Sequence, residues 1–147
     1  FARNVLGIAD ADSGEFDRNS TNKVIDFLPD QSDSTDKGGT LRLGSYPCKT
    51  AEGSLLQNCY GEKLIHERHR HRYEFNNDYR RQMEAAGMVL SGTSPDDYIV
   101  EAVELPKNDF FIGVQYHPEF KSRPNKPAPL FVGLVKRRLN GKENKQK

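Results

Sequence analysis

The sequence predicts an α/β protein with an antiparallel excursion, not a regular alternation of strand and helix. Two observations carry this. Alternating, β-branched and aromatic segments outnumber helix-periodic ones, and several follow one another with no helical segment between. The 147 residues, 35% hydrophobic and 29% charged, suit one water-soluble domain or part of one. No apolar run approaches the length needed to span a bilayer, and no internal repeat is visible.

Taken in order, residues 1–6 read as the closing turns of a helix that Gly7 stops. Residues 10–22, with Asp10, Asp12, Glu15 and Asp17, read as a polar loop. Residues 23–28 look like a strand halted by Pro29, and 30–37 as a Ser/Asp-rich loop. In 38–44, Leu41 and Leu43 alternate with polar positions. Residues 54–60 predict a short helix closed by Gly61. Residues 63–75 are extended and densely charged. Asn76 and Asn77 offer an N-cap for a helix over 78–86, where Tyr79, Met83 and Ala86 share a face and Gly87 ends the run. Strands are expected at 88–92 and 98–105 around the Ser94-Pro95-Asp96-Asp97 turn, then a buried strand at 110–116. After Pro124, Pro127 and Pro129, residues 130–139 predict an amphipathic helix with Leu130, Phe131, Leu134 and Val135 inward.

The folded part is therefore expected over 1–139, with 140–147 a basic, disordered tail. Residues 136–147 carry +5 and the remainder −4, so the net charge of +1 hides an asymmetry. A solvated, frayed end explains it better than a nucleic-acid arm. The chain opens Phe1-Ala2-Arg3-Asn4, without an initiator Met or an apolar leader, which reads as the interior of a longer polypeptide. Two cysteines make no disulfide framework and point to a reducing compartment. Cys48 follows a proline in a strand-like segment and Cys59 sits inside a short helix. Neither lies on the sharp strand-to-helix turn that activates a nucleophile, so both read as packing residues.

Three stretches bear chemistry. The 110–116 strand runs into His117-Pro118-Glu119, where extended backbone puts His117 and Glu119 on one face at the carboxyl end of a central strand. A glutamate there can fix the imidazole tautomer and leave the other nitrogen as a base; the competing reading is a structural histidine beside a surface glutamate. In residues 67–76, ERHRHRYEFN, alternation puts Arg68, Arg70 and Arg72 on one face and His69 and His71 on the other. This stretch could hold a metal through His66, His69 and His71, form an RNA-binding stripe, clamp a carboxylate through an arginine fork, or be a charge-balanced surface strand.

These residues resemble a known family. Residues 113–120 resemble the His-x-Glu signature of class I, triad-type glutamine amidotransferases. Residues 67–76 and 38–44 (GGTLRLG) are narrower, and are similar to the carboxyl-terminal glutaminase domain of the CTP synthase family. Residues 1–7 (FARNVLG), Ser122-Arg123-Pro124 and Lys126-Pro127 add to the likeness, with a eukaryotic flavour. The resemblance covers residues 1–135.

It implies a flavodoxin-like class I amidotransferase fold, incomplete here, with a central mixed sheet. It also implies a Cys-His-Glu triad in which His117 is the base and Glu119 its orienter. Glu15 would bind the amino group of L-glutamine and Arg72 its carboxylate, with Tyr73 beside it. The Gly-x-Cys-Leu-Gly turn that carries the nucleophile has no counterpart. The family places it about three helical turns before Phe1, so this stretch of chain is expected to be inactive alone. In the complete enzyme, glutamine hydrolysis feeds ammonia to an amidoligase domain that aminates UTP to CTP with ATP and Mg²⁺. The resemblance further implies a cytoplasmic homo-tetramer or filament activated by GTP, with no metal in this portion and no nucleic-acid or membrane partner. Two alternatives stand beside it: another class I amidotransferase, and a non-catalytic remnant acting as a binding fragment.

Overall fold

The structure, a computed structural model, describes residues 1–27 and 41–143. The loop expected at 30–37, residues 38–40 of the glycine-rich segment and residues 144–147 lie outside them. In chain order the elements are β1 (Ala11–Ser13), β2 (Asn22–Asp26), β3 (Arg42–Thr50), α1 (Leu55–Tyr60), β4 (Leu64–His71), β5 (Glu74–Phe75), α2 (Arg80–Ala85), β6 (Val89–Thr93), β7 (Val100–Glu104), β8 (Ile112–Val114) and α3 (Pro129–Glu143). They build a three-stranded sheet, β1-β2-β5, and a five-stranded sheet, β4-β3-β6-β7-β8. Among the described residues, β1 and β2 form the one parallel pair, and every pair in the larger sheet is antiparallel.

The short helices form where their caps are. Ser54 Oγ accepts the Gln57 N–H at 3.0 Å, and Gly61 follows α1 at φ +72°. The buried Glu104 carboxylate accepts the Leu55 and Leu56 N–H groups at 3.0 and 2.6 Å. This satisfies two more orphan donors of the first turn. Asn76 Oδ1 caps a 3₁₀ turn that leads into α2, Met83 is buried, and Gly87 closes at φ +95°. Residues 1–6 form hydrogen-bonded turns rather than an assigned helix, with the Val5 N–H donating to Phe1 O at 2.8 Å.

Three expectations fail for physical reasons. The polar stretch 10–22 contains β1, which its composition hides because β2 recruits it through parallel pairing from Ala11↔Asn22. On α3, Leu130 is buried, but Phe131, Leu134 and Val135 are 42%, 44% and 57% exposed. Gly133 turns the helix: a Cβ there would lie 2.6 Å from Cys59 Sγ and 3.2 Å from Phe110 Cε2, so the close contact runs through glycine. Finally, the strand expected over 110–116 is shorter, Ile112–Val114, and half-buried; among the described residues it pairs with β7.

The apolar core has two centres. Ala2, Ala11, Phe75, Met83, Met88 and Val100 pack on the small-sheet side. Cys48, Leu56, Ile65, Ala102, Tyr116 and Leu130 pack under α1 and α3. The strands β4 and β7 run along these centres and carry the polar residues described next.

Candidate active site

His117 and Glu119 meet, but not through extended alternation. His117 has φ −113° and ψ 88°, and Pro118 opens a 3₁₀ turn over Pro118–Phe120 that curls Glu119 back under the ring. His117 Nδ1 lies 2.7 Å from Glu119 Oε1. A carboxylate accepts, so Nδ1 carries the proton and Nε2 is left with its lone pair. The hydrogen bond from His117 holds the Glu119 carboxyl below its ordinary range. The imidazole stacks on Phe120 at 4.7 Å, and the His117 and Glu119 side chains are 36% and 54% exposed. The His117 backbone N–H donates to Arg68 O of β4 at 2.8 Å.

The same strand carries the arginine stretch. Arg68 and Arg70 face outward and His69 inward, as alternation requires. β4 ends at His71, and the chain bends at Arg72 before β5. Arg72, Tyr73, Glu15 and Gln115 line one cleft of about 580 Å³, with Arg18, Arg70 and His71 at its wall. His117 is not part of that lining, but Gln115 is two residues before it, and its N–H donates to Glu101 O at 2.9 Å. Tyr73 is buried and stacks on Phe27 at 4.4 Å.

Beneath the cleft lies a polar network that sequence reasoning missed. Arg42 Nη1 is 2.7 Å from Glu101 Oε1 and 3.6 Å from Glu74 Oε1. His69 Nδ1 is 2.8 Å from His71 Nε2, and His71 Nδ1 is 3.1 Å from Tyr73 O. All but His71 are buried. The available signal was a glutamate inside Tyr98-Ile99-Val100-Glu101-Ala102-Val103, a strand apolar on both sides of it.

The network does not favour the metal reading. His66 is exposed on the opposite side of β4 from His69 and His71. His69, His71 and Glu101 do bring ligand atoms within 4.8 Å of one another, but the Arg42 guanidinium already supplies the cation beside Glu101. The cysteines keep their packing role. Burial pushes the Cys48 thiol up to about 12 and raises that of Cys59, the reverse of what a thiolate nucleophile needs.

Burial also moves the network's titrations, in opposite directions. Desolvation, reinforced by Arg42, lowers His69 to about 3 and His71 to about 4; for Glu74 desolvation wins against Arg42 and raises the carboxyl to about 7. The lowered histidines stabilise the fold above their unfolded value of 6.5, and this is lost as pH falls toward 4. The raised glutamate contributes fully below 4.5, and this is lost as pH rises through 7. The two slopes oppose each other over the shared window. Glu74→Gln removes one of them, so the variant's stability should rise more steeply with pH, by up to about 1.4 kcal/mol per pH unit. Urea unfolding of both proteins from about pH 4.5 to 6.5 measures this; parallel profiles would show that Glu74 does not titrate there.

Comparison with known proteins decides the family. Residues 7–137 match the family Glutamine amidotransferase class-I. The chain belongs to the class I glutamine amidotransferases. Within them it is 58% identical over 145 residues to a CTP synthase of Staphylococcus saprophyticus and 59% identical to one of Staphylococcus aureus strain JH9. Each match takes in 99% of this chain and 27% of the relative, so the chain spans about a quarter of their length. The fold matches the glutaminase domain of Trypanosoma brucei CTPS with bound acivicin, at TM-score 0.84 and 35% identity, over 92% of this chain and 53% of that one. Among the described residues of this amidotransferase chain, no helix is long and apolar enough to cross a membrane.

Proposed function

We propose that this chain is the base-and-clamp portion of the glutamine-hydrolysing domain of a CTP synthase. One observation carries the reading. β4 fastens the His117 backbone through Arg68 O, and its end delivers Arg72 and Tyr73 to a cleft that Glu15 also lines. A zwitterionic amino acid fits between that glutamate and that arginine, the guanidinium fork taking the carboxylate. The likeness to CTP synthases, and to a glutaminase domain holding the glutamine analogue acivicin, supports glutamine as the ligand.

His117 Nε2 takes the proton of a cysteine thiol, and the thiolate attacks the glutamine amide carbon. The C–N bond breaks as His117 returns the proton to the leaving ammonia, giving a glutamyl thioester. Water, deprotonated by the same nitrogen, then releases glutamate. Glu119 holds the tautomer and stabilises the imidazolium. The nucleophile lies outside these 147 residues. The amidoligase domain, with its ATP, Mg²⁺ and UTP, likewise lies outside them in this reading and receives the ammonia. A cytoplasmic homo-tetramer or filament with GTP as activator completes it.

The purified 147-residue chain should therefore hydrolyse no glutamine, because neither Cys48 nor Cys59 is a usable nucleophile. Hydrolysis that Cys48→Ser or Cys59→Ser abolishes would overturn this. In the full-length protein, Arg72→Ala should raise the glutamine KM by roughly 10- to 100-fold, the loss of a charge-assisted clamp worth about 1.5–3 kcal/mol. Arg72→Lys should recover only part, because a point charge lacks the fork. Steady-state kinetics with glutamine and with ammonia tests the assignment; an unchanged glutamine KM in Arg72→Ala would remove the clamp.

A further inference from the structure

His71 is the last residue of β4, and Arg72 begins the bend that follows. Across that bend, His71 Nδ1 lies 3.1 Å from Tyr73 O. A carbonyl oxygen only accepts, so Nδ1 carries the proton. His71 Nε2 then offers a lone pair to His69 Nδ1 at 2.8 Å, and His69 must donate from that nitrogen. One tautomer string results: His69 Nδ1–H to His71 Nε2, then His71 Nδ1–H to Tyr73 O. The string is held from below. The His69 ring is fully buried between Tyr46 and Tyr116, at centroid distances of 5.5 and 5.8 Å, and Arg42 and Glu101 wall its inner side. Burial keeps both imidazoles neutral, which the single-direction string requires. From above, Tyr73 is fixed by its stack on Phe27. The peptide between these two anchors belongs to Arg72.

We propose that His71 is a positioning residue for glutamine: its Nδ1–H to Tyr73 O bond sets the bend that aims the Arg72 guanidinium into the cleft opposite Glu15. The inference rests on the reading of Arg72 as the carboxylate clamp. His71 also reaches the wall of that cleft, but the role assigned to it runs through Tyr73 O and Arg72 rather than through a contact with substrate. It accounts for a histidine string ending under the clamp with no role in proton transfer, since His117 Nε2, the base, lies on another element.

Asparagine and glutamine variants separate this from a merely structural role. An Asn side-chain nitrogen falls near the imidazole Nδ1 position and can still donate to Tyr73 O, whereas a Gln nitrogen falls near Nε2 and cannot. In the full-length protein, His71→Gln should raise the glutamine KM on the order of tenfold, the loss of one well-placed hydrogen bond, with ammonia-dependent CTP formation unchanged. His71→Asn should stay close to wild type with both nitrogen donors. Equal effects of the two variants, or a parallel loss with glutamine and with ammonia, would overturn the proposal and leave His71 as a packing residue. The Arg72→Ala variant run alongside distinguishes the failures. If it leaves the glutamine KM unchanged, the clamp reading itself falls. If it raises that KM while His71→Gln does not, only the positioning role falls.

Discussion

His117→Ala in the full-length protein is expected to lose glutamine-dependent CTP formation while keeping ammonia-dependent formation. The geometry gives the imidazole one free nitrogen, Nε2, because Glu119 occupies Nδ1 at 2.7 Å. That nitrogen has two tasks, deprotonating the thiol and protonating the departing ammonia. Removing a general acid–base group of this kind costs about 10²–10⁴-fold, roughly 3–5 kcal/mol in the barrier. Supplied ammonia bypasses both tasks. Glu119→Gln should fall short of the full loss, since an amide can still contact Nδ1 but no longer stabilises the imidazolium. Measuring CTP formation with each nitrogen donor at fixed ATP and UTP decides the matter. Equal loss with both donors in a folded protein would make His117 a structural residue that joins β8 to β4 through Arg68 O.

Glu101→Ala should destabilise the protein by about 3–5 kcal/mol, the cost of leaving a buried charge without its partner. Arg42 is buried and sits 2.7 Å from Glu101; among the described residues the next carboxylate is that of Glu74, 3.6 Å away. Burial raises the carboxyls of Glu74 and Glu101, while the Arg42 guanidinium pulls both back down. Replacing both partners, as Arg42→Met with Glu101→Leu, should cost less than the single change, because no uncompensated charge remains. Urea unfolding of the two variants tests this. A cost under about 1 kcal/mol for Glu101→Ala would mean that Arg42 reaches water.

What could be read from the sequence is local. Ser54 and Gly61 bracket α1, Asn76 and Gly87 bracket the helical turns around Met83, and alternation alone gives the faces of β4. Each of these is decided by the residue and its near neighbours. The misses are decided by distant ones. β1 exists because β2 lies beside it. The buried side of α3 is set by where Gly133 permits contact with Cys59, not by its most apolar stripe. β8 is shorter than its apolar run suggests, because pairing with β7 takes in only Ile112–Val114. In the site, residue spacing brings His117 and Glu119 within reach, while the turn that joins them depends on Pro118. Glu15 and Arg72 are 57 residues apart in sequence. No local pattern could say that they share a cleft, nor that Arg42 and Glu101 lie beneath it.

The central claim is that this chain holds glutamine by its two charged ends beside a histidine base. A crystal structure of the full-length protein with L-glutamine bound tests it most directly. The account predicts the α-carboxylate within about 3 Å of the Arg72 guanidinium, the α-ammonium at similar distance from Glu15, and the side-chain amide turned toward His117 Nε2. Glutamine bound in another cleft, or in this one with Glu15 and Arg72 both out of hydrogen-bond reach, would contradict it.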